Sequence, residues 1–212
     1  MNTPVPAKID TVVDLTVEVR SADGTSTEFY QTNEECIRKT LRSLTTPRVF
    51  TQPQLVLASE HSINTIPCRS IDMILARTLA RTPLIFPLIF PAGLLDAVEA
   101  KSDWPGEPST DEEQAGAGIA GLSPRVSHLE IHTPGGWVVV LRLLATARDT
   151  YDQRPASAQL CELPVIPFRL LEGGIGLINP NNITRVSTRP SPAALPETAL
   201  PIDLLRWNPS RF

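Results

Sequence analysis

Cysteine is scarce in this chain: Cys36, Cys68 and Cys161 are the only three in 212 residues, and no two stand at a metal-ligand spacing such as C-x-x-C. That excludes a disulfide framework and points to reduced thiols. Aromatic residues make up only 5% of the chain, and lysine is almost absent, 16 of the 19 basic residues being arginine. A long hydrophobic run is missing too. The longest, Pro83 to Leu95, is 13 residues broken by Pro83, Pro87 and Pro91, too short to span a bilayer as a helix. The stretch Met1 to Asp10 has no apolar core of the kind a secretory signal needs. Together these absences lead to an expectation of an intracellular, cytoplasmic protein without a membrane segment or a cofactor.

What is abundant is proline, 21 residues, within an otherwise ordinary balance of 42% hydrophobic and 20% charged residues. There is no Gly-x-y period, which excludes collagen, and enough aliphatic mass to bury a core. The net charge of −4 is unevenly spread. Residues 1–82 hold 9 basic and 9 acidic side chains, 83–115 hold 1 and 7, and 116–212 hold 9 and 7. The acidity therefore belongs to the middle of the chain.

A shift of 112 positions brings two stretches into register. Val17-Glu18-Val19 falls on Leu129-Glu130-Ile131, Gly24 on Gly136, and Ile63, Ile66, Ile71 and Ile74 on Ile175, Ile178, Ile183 and Val186. The uneven 3, 5, 3 spacing of these apolar residues in both stretches suggests a duplicated module. Each copy opens with alternating apolar residues up to a turn, Ala22-Asp23-Gly24 or Pro134-Gly135-Gly136, and a second strand follows, so the unit begins as a hairpin. In the first copy Asn33 can cap a helix whose stripe is Ile37, Leu41 and Leu44. The equivalent region of the second, Ala145 to Gln159, carries Pro155 and little stripe. Both copies then close with strand, short polar turn and strand, although Ser70, Ile71, Ile74, Leu75 and Leu79 also fit a capped amphipathic helix.

The expected fold is α+β and mostly β: two tandem related small β-rich modules (strand hairpin, variable helix, strand-turn-strand) joined by a Pro/acidic linker. The modules span 10–82 and 122–190. A Pro/Gly-rich acidic linker, 83–121, separates them, and a proline-rich arm, 191–212, follows.

Chemistry is harder to find. His128, Glu130 and His132 alternate along a strand, so two imidazoles and a carboxylate share a face and could ligate zinc or a similar metal. The matching face of the first copy, Thr16, Glu18 and Arg20, could not, which favours an ordinary polar face. There is no G-x-S-x-G elbow and no phosphate-loop fingerprint, and Glu172-Gly173-Gly174 reads as a hairpin turn. The segment Ile178-Asn179-Pro180-Asn181-Asn182-Ile183 resembles the closing strand-turn-strand of Sm-like small barrels. That resemblance covers about a dozen residues per copy and implies RNA binding at such loops; the long Gly-centred bent sheet of that family is not evident. The preponderance of arginine suits phosphate contact, while the small net charge of each half argues against a basic patch.

These residues support a non-enzymatic interaction, scaffold or regulatory protein acting through protein–protein contacts or self-association. Nucleic-acid (RNA) binding is the alternative, and an enzyme with a spatially assembled site is the second. The partner-binding candidates are Phe86, Leu88 and Phe90 in the uncharged run and Leu204, Leu205 and Trp207 near the end of the chain.

Overall fold

The computed structural model describes residues 15–58, 62–78, 95–98, 125–145, 160–189 and 200. The candidates Phe86, Leu88, Phe90, Leu204, Leu205 and Trp207 lie outside the described residues, as do His61 and most of 83–121.

Alternating apolar residues start the fold as expected. β1 (Leu15–Ser21) and β2 (Ser26–Gln31) form an antiparallel hairpin, with Leu15, Val17 and Val19 turned into the core. Its turn needs Gly24, whose φ of 82° lies where side chains with a Cβ are strained. Helix α1 (Glu34–Leu44) follows. Asn33 caps it by accepting from the Cys36 N–H at 3.1 Å, and Ile37, Leu41 and Leu44 are its buried stripe. Full burial of each such side chain is worth roughly 1.5–3 kcal/mol, so this stripe, more than propensity, holds so short a helix in place.

β3 (Gln54–Ala58) and β4 (Ile63–Pro67) pair as a separate two-stranded sheet. A one-turn 3-10 knuckle, Cys68–Ser70, then leads into β5 (Ile71–Thr78). From Ile71 to Ala76 every residue of β5 is buried, because neighbours cover both of its faces. A strand buried on both faces loses the apolar–polar alternation, so its sequence looks equally like a helix.

The second half contains β7 (Arg125–His132), β8 (Val138–Ala145), β9 (Ile166–Arg169), β10 (Ile175–Ile178), a knuckle at Pro180–Asn182, and β11 (Arg185–Arg189). Each of these overlaps its counterpart in the first half when 112 is subtracted, the two knuckles residue for residue. Pairing follows the same rule. Val17 lies opposite Phe29 and Ala76, and Leu129 lies opposite Leu141 and Thr188, so two strand registers repeat without a slip. The β9–β10 pairing is displaced by one residue from that of β3–β4.

Two features differ from the sequence expectation. Leu95–Ala97, inside the stretch read as linker, forms β6, which inserts antiparallel to β8 and parallel to β9. Asp96 there is paired with Arg169 at 2.6 Å and Arg142 at 3.4 Å, so one linker carboxylate belongs to the sheet. The second difference is continuity. β10 pairs with β5, so a single nine-stranded sheet runs in the order β11-β7-β8-β6-β9-β10-β5-β1-β2 through both halves.

Two apolar clusters flank that crossing. One gathers Leu15, Val17, Val19, the helix stripe and Ile74 with Ile175 and Leu177 of the second half. The other gathers Leu129, Ile131, Leu141, Ile166 and Phe168 with Met73 and Leu75 of the first. β5 and β10 thus each feed both clusters. No helix among the described residues is long and apolar enough to cross a membrane.

Candidate functional site at the junction of the halves

The β5–β10 crossing brings the two knuckles and the two hairpin turns together. Asp72 and Asn179, both polar, are almost fully buried there. Burying such groups is tolerable only when each finds partners. Asn179 donates through Nδ2 to the carbonyls of Cys68 at 3.2 Å and Ile71 at 2.9 Å, and its Oδ1 accepts from the Asn181 N–H. Asp72 accepts from the Gly135 N–H at 2.8 Å and from Asn182 Nδ2 at 3.2 Å. Asn182 also donates to the carbonyls of Arg69 and Ile71. Three side chains thereby tie the second knuckle to the first.

The hairpin turns meet beside them. Trp137 Nε1 donates to the Ser21 carbonyl at 3.1 Å, and the Arg20 guanidinium stacks 4.7 Å above the Trp137 ring, a cation–π contact. Arg20 also reaches Glu18 at 2.6 Å, and Arg77 reaches the other oxygen of Glu18 at 2.7 Å. Burial pushes the Glu18 carboxyl up. The hydrogen bonds from Arg20 and Arg77, the charge of Arg20 and the Ser26 hydroxyl outweigh that and hold it below its ordinary value of 4.5.

A carboxylate with a lowered folded pKa contributes stability that is present above the unfolded value and lost as pH falls through the folded one. Glu18→Gln should therefore cost about 1–3 kcal/mol near neutral pH and flatten the stability loss below about pH 4.5. Urea midpoints of both proteins between neutral and acid pH measure this; parallel acid profiles would overturn it.

The candidate metal residues occupy one face of β7. Leu129 and Ile131 are turned into the core as expected, and His132 Nε2 lies 2.5 Å from Glu130 Oε1. The same pair exists 112 residues earlier as Arg20 and Glu18. His132 and Glu130 thus repeat a side-chain hydrogen bond to a carboxylate across alternate residues. Among the described residues, no group of three or more His, Cys, Asp or Glu side chains is placed to hold a metal ion. Of the thiols, Cys68 is buried, its hydrogen directed to the Val49 carbonyl and its pKa raised by burial, while Cys36 and Cys161 are exposed.

Sequence reasoning did not single out Asp72 or Trp137, and took Gly135 only as a turn residue and Arg20 only as part of a polar face. The contacts that join them, Asp72 to Gly135, Trp137 to Ser21 and Arg20 to Trp137, span 63 to 117 residues, and a polar residue inside an apolar run, Asp72 between Ile71 and Met73, was the local signal. An open groove of about 540 Å³ runs along the two knuckles, lined by Phe50, Pro53, Pro67, Arg69, Asn181 and Asn182 among others.

Comparison with protein-family models, with curated proteins and with solved structures gives no match.

Proposed function

We propose that the chain is a non-enzymatic interaction protein, built from a duplicated β-rich module and acting through protein–protein contacts. The observation that carries this reading is the small β3–β4 sheet. Its two strands present Val56 and Ile63, 50% and 74% exposed, beside backbone edges with no strand partner among the described residues. An edge that is apolar and unpaired is a template for another strand.

RNA binding is the second reading, favoured by the groove along the knuckles. Arg69, Asn181 and Asn182 can meet phosphate and base edges there, and Phe50 supplies an aromatic wall. One experiment separates the two readings. Affinity recovery of the full chain from its source cell, with and without ribonuclease, is expected to retain the same proteins in both arms. Proteins lost on ribonuclease treatment, with RNA in the untreated eluate, would favour the second reading; an eluate holding neither would overturn both.

A further inference from the structure

We propose that copies of this chain join head to tail, the β4 edge of one copy pairing antiparallel with the β11 edge of the next. This rests on the protein-contact reading above and names its partner as a second copy of the same chain.

The argument starts from the junction inside the molecule. β10 pairs with β5, Ile175 opposite Ala76 and Leu177 opposite Ile74. The counterparts of these strands at the 112-residue offset are β4 and β11. β5 lies between β1 and β10, whereas β11 has only β7, the counterpart of β1. β10 lies between β9 and β5, whereas β4 has only β3, the counterpart of β9. Each outer strand therefore has an open edge, among the described residues, where its counterpart has a neighbour.

The apolar signature splits the same way. Ile71, Ile74, Ile175 and Ile178, which meet at the internal junction, are at most 2% exposed. Of their counterparts, Ile63 is 74% exposed, while Ile66, Ile183 and Val186 are half-buried against the clusters of their own halves. One set of four fills a junction, whereas in the other set Ile63 stands in solvent beside the open edge. Transposing the internal register puts Ile63 opposite Thr188, Thr65 opposite Val186 and Ile66 opposite Arg185. Ile175 and Leu177 join the cluster of Val17 and Val19. By the same geometry Ile63 and Thr65 would settle beside Leu129 and Ile131, the counterparts of Val17 and Val19.

The outer junction is weaker than the inner one for a definable reason. The Asn179 N–H donates to the Asp72 carbonyl, and its side chain binds two further carbonyls. Its counterpart, Pro67, has neither an N–H nor a polar side chain. Trp137 is replaced by Thr25. Apolar burial and the strand ladder remain, so the inter-copy contact is reversible where the internal one is permanent. The two surfaces differ, so the contact is heterologous and each copy keeps one free end of each kind until a ring closes.

Light scattering on the full chain is expected to give multiples of the 23.2 kDa chain mass over a range of concentrations. Ile63→Asp, at an exposed position where folding is not at risk, should weaken association at least about tenfold by removing one buried isoleucine and inserting a charge. The register has its own test. With Cys36 and Cys161 changed to serine, Ile63→Cys combined with Thr188→Cys should form an oxidised ladder of linked chains, while either single cysteine variant should form no ladder. A native chain that stays at single-chain mass, an assembly untouched by Ile63→Asp, or a double-cysteine variant without a ladder would each overturn the proposal. A single-chain mass together with retained foreign proteins in the affinity recovery would overturn self-assembly and leave the protein-contact reading standing. A single-chain mass with no retained protein would overturn both.

Discussion

Gly135→Ala should lower stability by about 3–5 kcal/mol, with a fall in melting temperature of roughly 10 °C. A Cβ at that position would stand 2.3 Å from the Ser21 carbonyl, 2.7 Å from Trp137 Nε1 and 2.8 Å from Asp72 Oδ2. None of these can give way cheaply. The Ser21 oxygen is backbone and accepts the Trp137 N–H, while Asp72 is buried and holds the Gly135 N–H. Relieving the clash therefore separates the hairpin turns and strands two buried polar groups. Gly136→Ala is the comparison. Its φ is 78°, but an added Cβ would meet nothing within 4 Å, so only backbone strain of about 1–2 kcal/mol is expected. Urea midpoints of the two variants decide the matter; equal losses would show that packing between the turns contributes nothing.

Asn179→Ala is expected to cost about 1–3 kcal/mol, because it removes two buried side-chain hydrogen bonds that tie the knuckles together, while the Cys68 carbonyl keeps only the Ile71 N–H. The Ile71 carbonyl would keep its bond from Asn182, whereas the Cys68 carbonyl would lose its bond from Asn179. Asn179→Asp separates two roles of the side chain. It retains an acceptor for the Asn181 N–H but points a carboxylate at two carbonyl oxygens. It should be at least as damaging as alanine in thermal unfolding. A milder aspartate variant would mean that capping the second knuckle matters more than tying it to the first.

The parts of the fold that could be read from the sequence are those governed by neighbours along the chain. The 1–2 hairpin follows from alternation and a glycine at positive φ, and α1 from Asn33 and a stripe at helical spacing. The repeated isoleucine spacing marks two strand-knuckle-strand units because both halves keep the same apolar frame. β6 escaped because three residues, Leu95-Asp96-Ala97, hold no periodicity. β5 stayed ambiguous because burial on both faces erases alternation. The junction was invisible for a different reason: the contacts by which Asp72, Asn179 and Gly135 join the halves reach partners 63 to 111 residues away. His128, Glu130 and His132 were legible as a shared face, and their likeness to Thr16, Glu18 and Arg20 favoured an ordinary polar face, on which His132 and Glu130 are hydrogen-bonded to each other.

The sharing of β5 and β10 between both clusters bears on how the molecule comes apart. Ile74 and Ala76 serve one cluster while Met73 and Leu75, from the same strand, serve the other. Melting either cluster removes a wall of its neighbour, so the halves form one cooperative unit although their sequences look like two. A cut at the proline-rich boundary would not release two self-sufficient proteins. It would leave two fragments, each holding an uncovered strand that the other completes.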